Sequence, residues 1–296
     1  MDVRHFSMLW QRDAATTQAD FWDRRAVVFN DNKKDAASGD MRARFVQWIS
    51  KHIPLKDVGS ILDIGCGTGH HALALGALAG PKCRVEGCDM APKMIEFARE
   101  NAKHFPMERA SFRVLDWDVA DVRTLGWEKA FDLVLAIRTP ALGCKADLDR
   151  MMTTSRDYCA VITEASKRST VREQLVALLY PDAVKAPETE AKSGISHSLD
   201  AIPDRASQPL YCLVNILWLT GYYPEISYMD YSWQADWSVE DVLMLQQVFF
   251  ERKRALAPEQ KKLLAMALHD MAVQGRVHDQ VDTRVALVTW RVGDAR

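Results

Sequence analysis

The sequence predicts an α/β fold: a seven-stranded, mostly parallel sheet, preceded by helices and carrying an insertion before the sixth strand. Three observations lead there. From residue 60 onward, short apolar runs alternate with helical stretches, which is the signature of βαβ units and a sheet covered on both faces. The first apolar run feeds directly into a glycine-rich turn at a helix start, Gly65-Cys66-Gly67-Thr68-Gly69. With 296 residues, 48% hydrophobic and 26% charged, the chain can bury a large core as one domain with additions or as two closely packed ones.

The elements follow in order. The first 59 residues read as helical: Phe21, Trp22, Ala26 and Phe29 share one helix face, and Phe45, Trp48, Ile49 and His52 another. Ser38 or Asp40 is the expected cap of the second helix, and Pro54 stops it. Strands are expected at 60–64, 84–89, 111–115, 131–137 and 158–163. Between them fall a helix from His70 to Ala79, one opened by Pro92 with Met94, Ile95, Ala98 and Ala102 on a single face, and one bearing Leu148, Met151 and Met152. Prolines 181, 187, 203 and 209 mark 181–209 as a loop or lid. Leu210, Leu213, Val214, Leu217 and Trp218 then keep the spacing of a buried helix. The run 225–233 alternates as a strand, with Met229, Tyr231 and Trp233 pointing one way. Ser238 opens a further helix, Pro258 another, and 285–292 is the last strand. The expected organisation is a helical cap over 1–57 and a main domain over 58–296, with residues 165–224 inserted as the lid or substrate region.

Charge and cysteine usage exclude several function classes. Lysine plus arginine number 38 and aspartate plus glutamate 40, a net charge of -2, against the basic surface of a dedicated nucleic-acid binder. The start of the chain shows no apolar signal region, and the most apolar stretch, 210–219, is about half a membrane crossing. Six scattered cysteines form no zinc or iron–sulfur spacing. They read as reduced thiols, which places the chain in the cytoplasm with no metal expected.

The chemistry concentrates at the glycine-rich turn. A strand ending at a helix start points backbone N–H groups and a positive helix end at the sheet edge, suiting a nucleotide-like ligand with a carboxylate or phosphate. The spacing is GxGxG with His70 where a dinucleotide fingerprint needs its third glycine. Asp63 lies just inside the strand, badly placed for a pyrophosphate and well placed for a cationic amino group. An amino acid joined to a nucleoside satisfies both: ammonium to Asp63, carboxylate to the amides. Asp89, ending the second strand, suits the ribose hydroxyls. Asp116, ending the third, suits an adenine amino group, with Trp117 packing on the ring.

These segments, Asp63-Ile64-Gly65-Cys66-Gly67-Thr68-Gly69, Gly87-Cys88-Asp89-Met90-Ala91-Pro92 and Asp116-Trp117, resemble class I S-adenosylmethionine-dependent methyltransferases over roughly residues 58–164. The resemblance implies a Rossmann-like sheet whose last strand is reversed, S-adenosyl-L-methionine as cofactor and S-adenosyl-L-homocysteine as product. It assigns Asp63, Gly65, Cys66, Gly67 and Gly69 to the methionine moiety, Asp89 to the ribose, and Met90, Asp116 and Trp117 to adenine, with Ile137 at the end of the fourth strand. Trp22, Arg25 and Phe29 belong to a segment similar to the cap helix of small-molecule members. The stretch Ile137-Arg138-Thr139-Pro140-Ala141-Leu142 stands where the family carries a substrate motif. It is neither the Asn-Pro-Pro-aromatic form of base-methylating enzymes nor the Pro-Cys form of cytosine-C5 enzymes.

The function implied is in-line transfer of a methyl group to a small molecule, a class EC 2.1.1 reaction that needs alignment more than a dedicated base. Arg138, His70 and His71 are the candidate catalytic residues. Arg138 reads equally as a carboxylate binder or a salt-bridge partner, and the two histidines as hydrogen-bonded or solvent-facing groups before methyl-facing ones. The alternatives are an RNA or protein methyltransferase, a non-catalytic cofactor-binding protein, and an NAD-binding dehydrogenase. The last lacks its third glycine.

Overall fold

A computed structural model describes residues 2–12, 18–30, 36–105, 109–181, 208–251 and 255–294. The helices are α1 Val3–Leu9, α2 Ala19–Asp23, α3 Ala26–Asn30, α4 Ala36–His52, α5 His70–Ala79, α6 Pro92–Ala102, α7 Lys145–Thr154, α8 Thr170–Leu179, α9 Gln208–Leu219, α10 Val239–Phe250 and α11 Pro258–Met271. The strands are β1 Ser60–Ile64, β2 Arg84–Asp89, β3 Ala110–Val114, β4 Phe131–Ile137, β5 Ser155–Ser169, β6 Glu225–Ser238 and β7 Arg276–Arg291.

The seven strands lie in the order β3-β2-β1-β4-β5-β7-β6, as the sequence predicts in number. β1 pairs in parallel with β2 and β4, β2 with β3, and β4 with β5. The last strand is reversed, and its contacts show it. Val292, just past β7, donates to the Asp157 carbonyl near the start of β5, while Asp279, early in β7, accepts from Ser169 at the end of β5. β6 also runs against β7, with Asp230 bound to Arg284 and Asp236 to Arg276. All five residues of β1 are buried, as befits a strand covered on both sides. The order turns back beside β1, so the C-terminal ends of β1 and β4 border the crevice where open α/β sheets bind ligands.

The chain divides into two compact units. Met1–Thr163, Pro209–Tyr228 and Val285–Arg296 form the first; Glu164–Gln208 and Met229–Arg284 form the second. This differs from the expected boundary at residue 57 and the expected 165–224 insertion. The N-terminal helices and α9 belong with the first unit. In the second, α8, α10 and α11 share a core of Leu175, Val242, Phe250, Leu264 and Leu268. There α10 and α11 pack on each other and on α8.

Three local readings are corrected. The predicted helix through Phe21 and Phe29 is two short helices separated by a turn at Arg24-Arg25. The following helix begins at Ala36, upstream of Ser38 and Asp40. β5, β6 and β7 run well beyond the expected 158–163, 225–233 and 285–292. The expected lid falls mostly on residues 182–207, outside the described residues. Ser238 does cap α10, accepting from Asp241 N–H, and Met229, Tyr231 and Trp233 alternate with exposed neighbours.

Candidate active site

The site is built by the turn between β1 and α5. Gly65, Gly67 and Gly69 all adopt positive φ, at 64°, 52° and 78°, where a Cβ is disfavoured. At Gly65 a Cβ would also lie 2.0 Å from Thr139 Oγ1, so the loop after β4 closes directly on the turn. Gly69 caps α5 with no side-chain hydrogen bond. The amides of a ten-residue helix thus meet the sheet edge without a competing side chain.

Asp63 is 1% exposed, and its Oδ1 is buried with no hydrogen-bond partner. Burial, reinforced by the nearby charge of Asp89, pushes its carboxyl up to about 8. A buried carboxyl of this kind is costly unless a cation or donor meets it. Asp89 is engaged: Oδ2 accepts from Gly67 N–H at 3.0 Å and Oδ1 from Ala91 N–H at 2.9 Å. Burial also raises its pKa, and those backbone bonds oppose the rise. A carboxylate has about four lone-pair sites, so Asp89 braces the turn and keeps acceptor capacity to spare. Cys66 is buried inside the turn, its N–H bound to the Cys88 carbonyl. Met90 is half-buried beside Asp89.

The third predicted acid behaves differently. Asp116 is exposed and caps a short 3₁₀ turn by accepting from Asp118 N–H at 3.0 Å. Trp117 is 2% exposed, and its Nε1 donates to the Asp147 carbonyl at 3.3 Å. The expected stacking of Trp117 on a ligand ring is therefore corrected: the indole is spent on packing against α7. Ile137 is buried at the end of β4.

Of the N-terminal group, Trp22 packs with Ala26 against Ala91 and Met94 at the start of α6. Asp23 accepts from Lys93 N–H at 2.9 Å, pinning α2 to the same helix start. Arg25 lies 3.8 Å over the Phe21 ring and donates to its carbonyl. Phe29 is 47% exposed and touches Trp22 edge-on.

The candidate catalytic residues flank the turn. His70 Nε2 is 3.3 Å from Asn101 Nδ2, whose other contacts are the Thr68 carbonyl and Asn30. Burial, with Arg42 nearby, lowers His70 to about 4. His71 is lowered further, to about 3, by burial and by Arg42, His70 and Arg138. Its Nε2 is buried without a partner. Both rings are neutral at pH 7 and hold a proton too weakly to serve well as bases there. Arg138 is exposed, has φ 48° and donates its N–H to the Ile162 carbonyl at 2.7 Å.

Sequence reasoning missed the wall opposite. A narrow cleft of about 20 Å³, room for about one water molecule, is lined by Trp10, Ala136, Thr139, Leu142, Val161 and Leu213 among others. The N-terminal segment forms one side because Arg12 pairs with Asp147, whose carboxylate is fully buried and also bonds Arg150, Gly143 N–H and Cys144 N–H. Nothing in the local sequence around Trp10 or Arg12 signals a partner some 135 residues away. The available clue was Asp147 at the third position of α7.

Residues 55–177 match a family model described as a methyltransferase domain. Over that segment the chain is similar to this family. It is the family the glycine turn and its acids resemble, and S-adenosyl-L-methionine is the cofactor of that family. The chain is 27% identical over 106 residues to trans-aconitate 2-methyltransferase of Azoarcus sp. (strain BH72), covering 36% of this chain and 38% of that enzyme. It is 44% identical over 59 residues to the release factor glutamine methyltransferase of Vibrio cholerae, covering 20% of each chain. The chain thus spans less than two fifths of the length of these curated relatives. Among solved structures, magnesium protoporphyrin IX methyltransferase of Synechocystis PCC 6803, with bound S-adenosylhomocysteine, is similar at 13% identity. That likeness has a TM-score of 0.40 and covers 83% of this chain and 81% of that one.

Proposed function

We propose that the whole chain is an S-adenosyl-L-methionine-dependent methyltransferase acting on a small molecule. The observation that carries the reading is Asp63: a buried carboxyl with an unmet oxygen, set inside a turn of three positive-φ glycines at an uncapped helix start. That geometry fits the cationic amino group and carboxylate of the cofactor's amino-acid end. Asp63 would hold the ammonium, the N-terminal end of α5 at the glycine turn would receive the carboxylate, and Asp89 would receive the ribose hydroxyls. Met90 would border the adenine.

When bound, the cofactor supplies an electrophilic sulfonium methyl that an acceptor takes by in-line displacement, leaving S-adenosyl-L-homocysteine. The chain's own contribution is alignment and exclusion of water. Thr139 joins the glycine turn to the narrow cleft. The chain's net charge of -2 supports a small-molecule acceptor over a nucleic acid, whose phosphates call for a basic groove. Six free cysteines support a reducing, cytoplasmic setting. Among the described residues no helix is long and apolar enough to cross a membrane.

Calorimetry with S-adenosyl-L-homocysteine and with NADH tests the reading on the intact chain. Binding of the first and rejection of the second is expected; preference for NADH would overturn it. Asp89→Ala is expected to weaken binding of S-adenosyl-L-homocysteine at least tenfold, and unchanged affinity would remove the ribose assignment.

A further inference from the structure

Asn101 stands in the last turn of α6, where three parts of the chain meet. Its Nδ2 lies 2.8 Å from Asn30 Oδ1 at the end of α3, 2.9 Å from the Thr68 carbonyl in the glycine turn and 3.3 Å from His70 Nε2 at the start of α5. A backbone carbonyl only accepts, so the Thr68 contact sets which way round the amide sits, its N–H groups toward the turn.

The Thr68–Gly69 peptide is thereby held on both sides. Its N–H donates to the Cys66 carbonyl at 2.9 Å, and its carbonyl accepts from Asn101. Gly69 caps α5, so the plane of this peptide sets how the helix starts and where its first amides point.

The same amide reaches the N-terminal helices. At the start of α6, Asp23 accepts from Lys93 N–H at 2.9 Å, and Trp22 and Ala26 pack on Ala91 and Met94. Ala91 N–H in turn donates to Asp89, so α2 sits on the residues that brace one side of the turn. At the far end of α6, Asn30 meets Asn101, and Arg42 of α4 donates to the neighbouring Phe29 carbonyl. There α3 reaches the other side of the turn through Asn101.

We infer that Asn101 is a positioning residue for the cofactor: it ties the Thr68–Gly69 peptide to α3, so that docking of the N-terminal helices and binding at the glycine turn strengthen each other. The inference rests on the S-adenosyl-L-methionine reading of the turn and adds to it a residue outside every motif that carries that reading. Linkage makes the coupling reciprocal: whatever factor α3 adds to cofactor affinity, the cofactor adds to the docking of α3.

Calorimetry with S-adenosyl-L-homocysteine on the full chain, Asn101→Ala, Asn30→Ala and the double variant tests this. Asn101→Ala is expected to weaken binding roughly fivefold to tenfold, the span of one hydrogen bond. Asn30 lies on α3 and not on the turn, yet Asn30→Ala is expected to weaken binding about threefold, as residues sharing one network do. The double variant is expected to bind like Asn101→Ala, because the tie is already cut. Trypsin gives the reciprocal reading by cleaving after Arg24, which is exposed between α2 and α3. Saturating S-adenosyl-L-homocysteine is expected to slow that cleavage in the wild type and not in Asn101→Ala; a merely structural Asn101 would leave the protection in place at saturation. Unchanged affinity in either single variant, additive losses in the double variant, or protection that survives Asn101→Ala would each overturn the inference. Should Asn101→Ala not fold, the affinity of Asn30→Ala and the wild-type protection decide, and absence of either effect overturns it. Failure of the wild type to bind S-adenosyl-L-homocysteine would instead strike the methyltransferase reading, so the two failures are distinguishable.

Discussion

Asp63 is unusual in being designed at a loss when the site holds no cation. Its carboxyl stands near 8 because burial and Asp89 both disfavour the charge, so at pH 7 the protonated form dominates. Binding an ammonium requires the carboxylate, which makes cofactor binding release a proton below that value. Affinity for S-adenosyl-L-homocysteine is therefore expected to rise from pH 6 toward pH 8. Calorimetry in buffers of different ionisation enthalpy should detect up to one proton released, and pH-independent binding would contradict the role. Asp63→Asn is expected to weaken binding by about tenfold to a hundredfold, the span of a charge-assisted hydrogen bond. The place of Asp63 and Asp89 at strand ends beside the glycine turn was legible in the sequence, because the runs that carry them are short and sharply bounded. Trp117 was not read correctly, since an indole next to an acid looks the same whether it faces a ligand or, as here, the Asp147 carbonyl. Trp10 and Arg12 left no trace, because their partners lie far along the chain.

The glycine turn works as a unit with the loop after β4. Gly65→Ala would place a methyl where Thr139 stands and force φ 64° on an alanine. A cost of about 1–3 kcal/mol for the strained backbone alone is expected, with loss of cofactor binding, both readable by urea titration and calorimetry. The Asp147 cluster fixes the same loop from the other side. Asp147→Ala would leave Arg12 and Arg150 facing a buried hole, and chemical denaturation is expected to show a loss of about 3–5 kcal/mol; a loss under 1 kcal/mol would mean the cluster is not what holds the N-terminal segment. Element legibility follows burial. β1, β2 and β4 were read to the residue because their apolar runs are short and sharply ended. β5, β6 and β7 were cut short because their outer parts alternate buried and exposed positions, so no continuous apolar run marks them. The break between α2 and α3 carries no glycine or proline. The domain boundary escaped for a related reason: an amphipathic helix announces that it packs, and its partner is chosen elsewhere in the chain.

At the scale of the whole molecule, the groups that shape the site also set its response to pH. His70 and His71 have pKa values lowered to about 4 and about 3, against an ordinary value near 6.5 in the unfolded chain. Between those limits the unfolded state binds more protons than the folded one, so stability rises with pH up to about 6.5. Asp63 acts with the opposite sign: its folded value near 8 lies above the unfolded 3.8, the folded state holds the extra proton, and stability falls as pH climbs from about 4 to 8. Asp89, also raised, adds to that fall. Two histidines outweigh Asp63 on the acid side, and above pH 6.5 Asp63 acts without them. The ligand-free protein is therefore expected to be most stable near pH 6.5 and to lose stability toward pH 8. Saturating S-adenosyl-L-homocysteine is expected to reverse the alkaline loss, because an ammonium beside Asp63 lowers its bound-state pKa and mass action adds stability that grows with affinity. Asp63→Asn should flatten the ligand-free curve between pH 6.5 and 8 and abolish the ligand's effect there. Thermal melts across pH 5–9, with and without ligand, read all three. A wild-type curve that keeps rising through pH 8 without ligand would show that Asp63 is already ionised in the empty site, and that its burial is relieved by a partner within the protein.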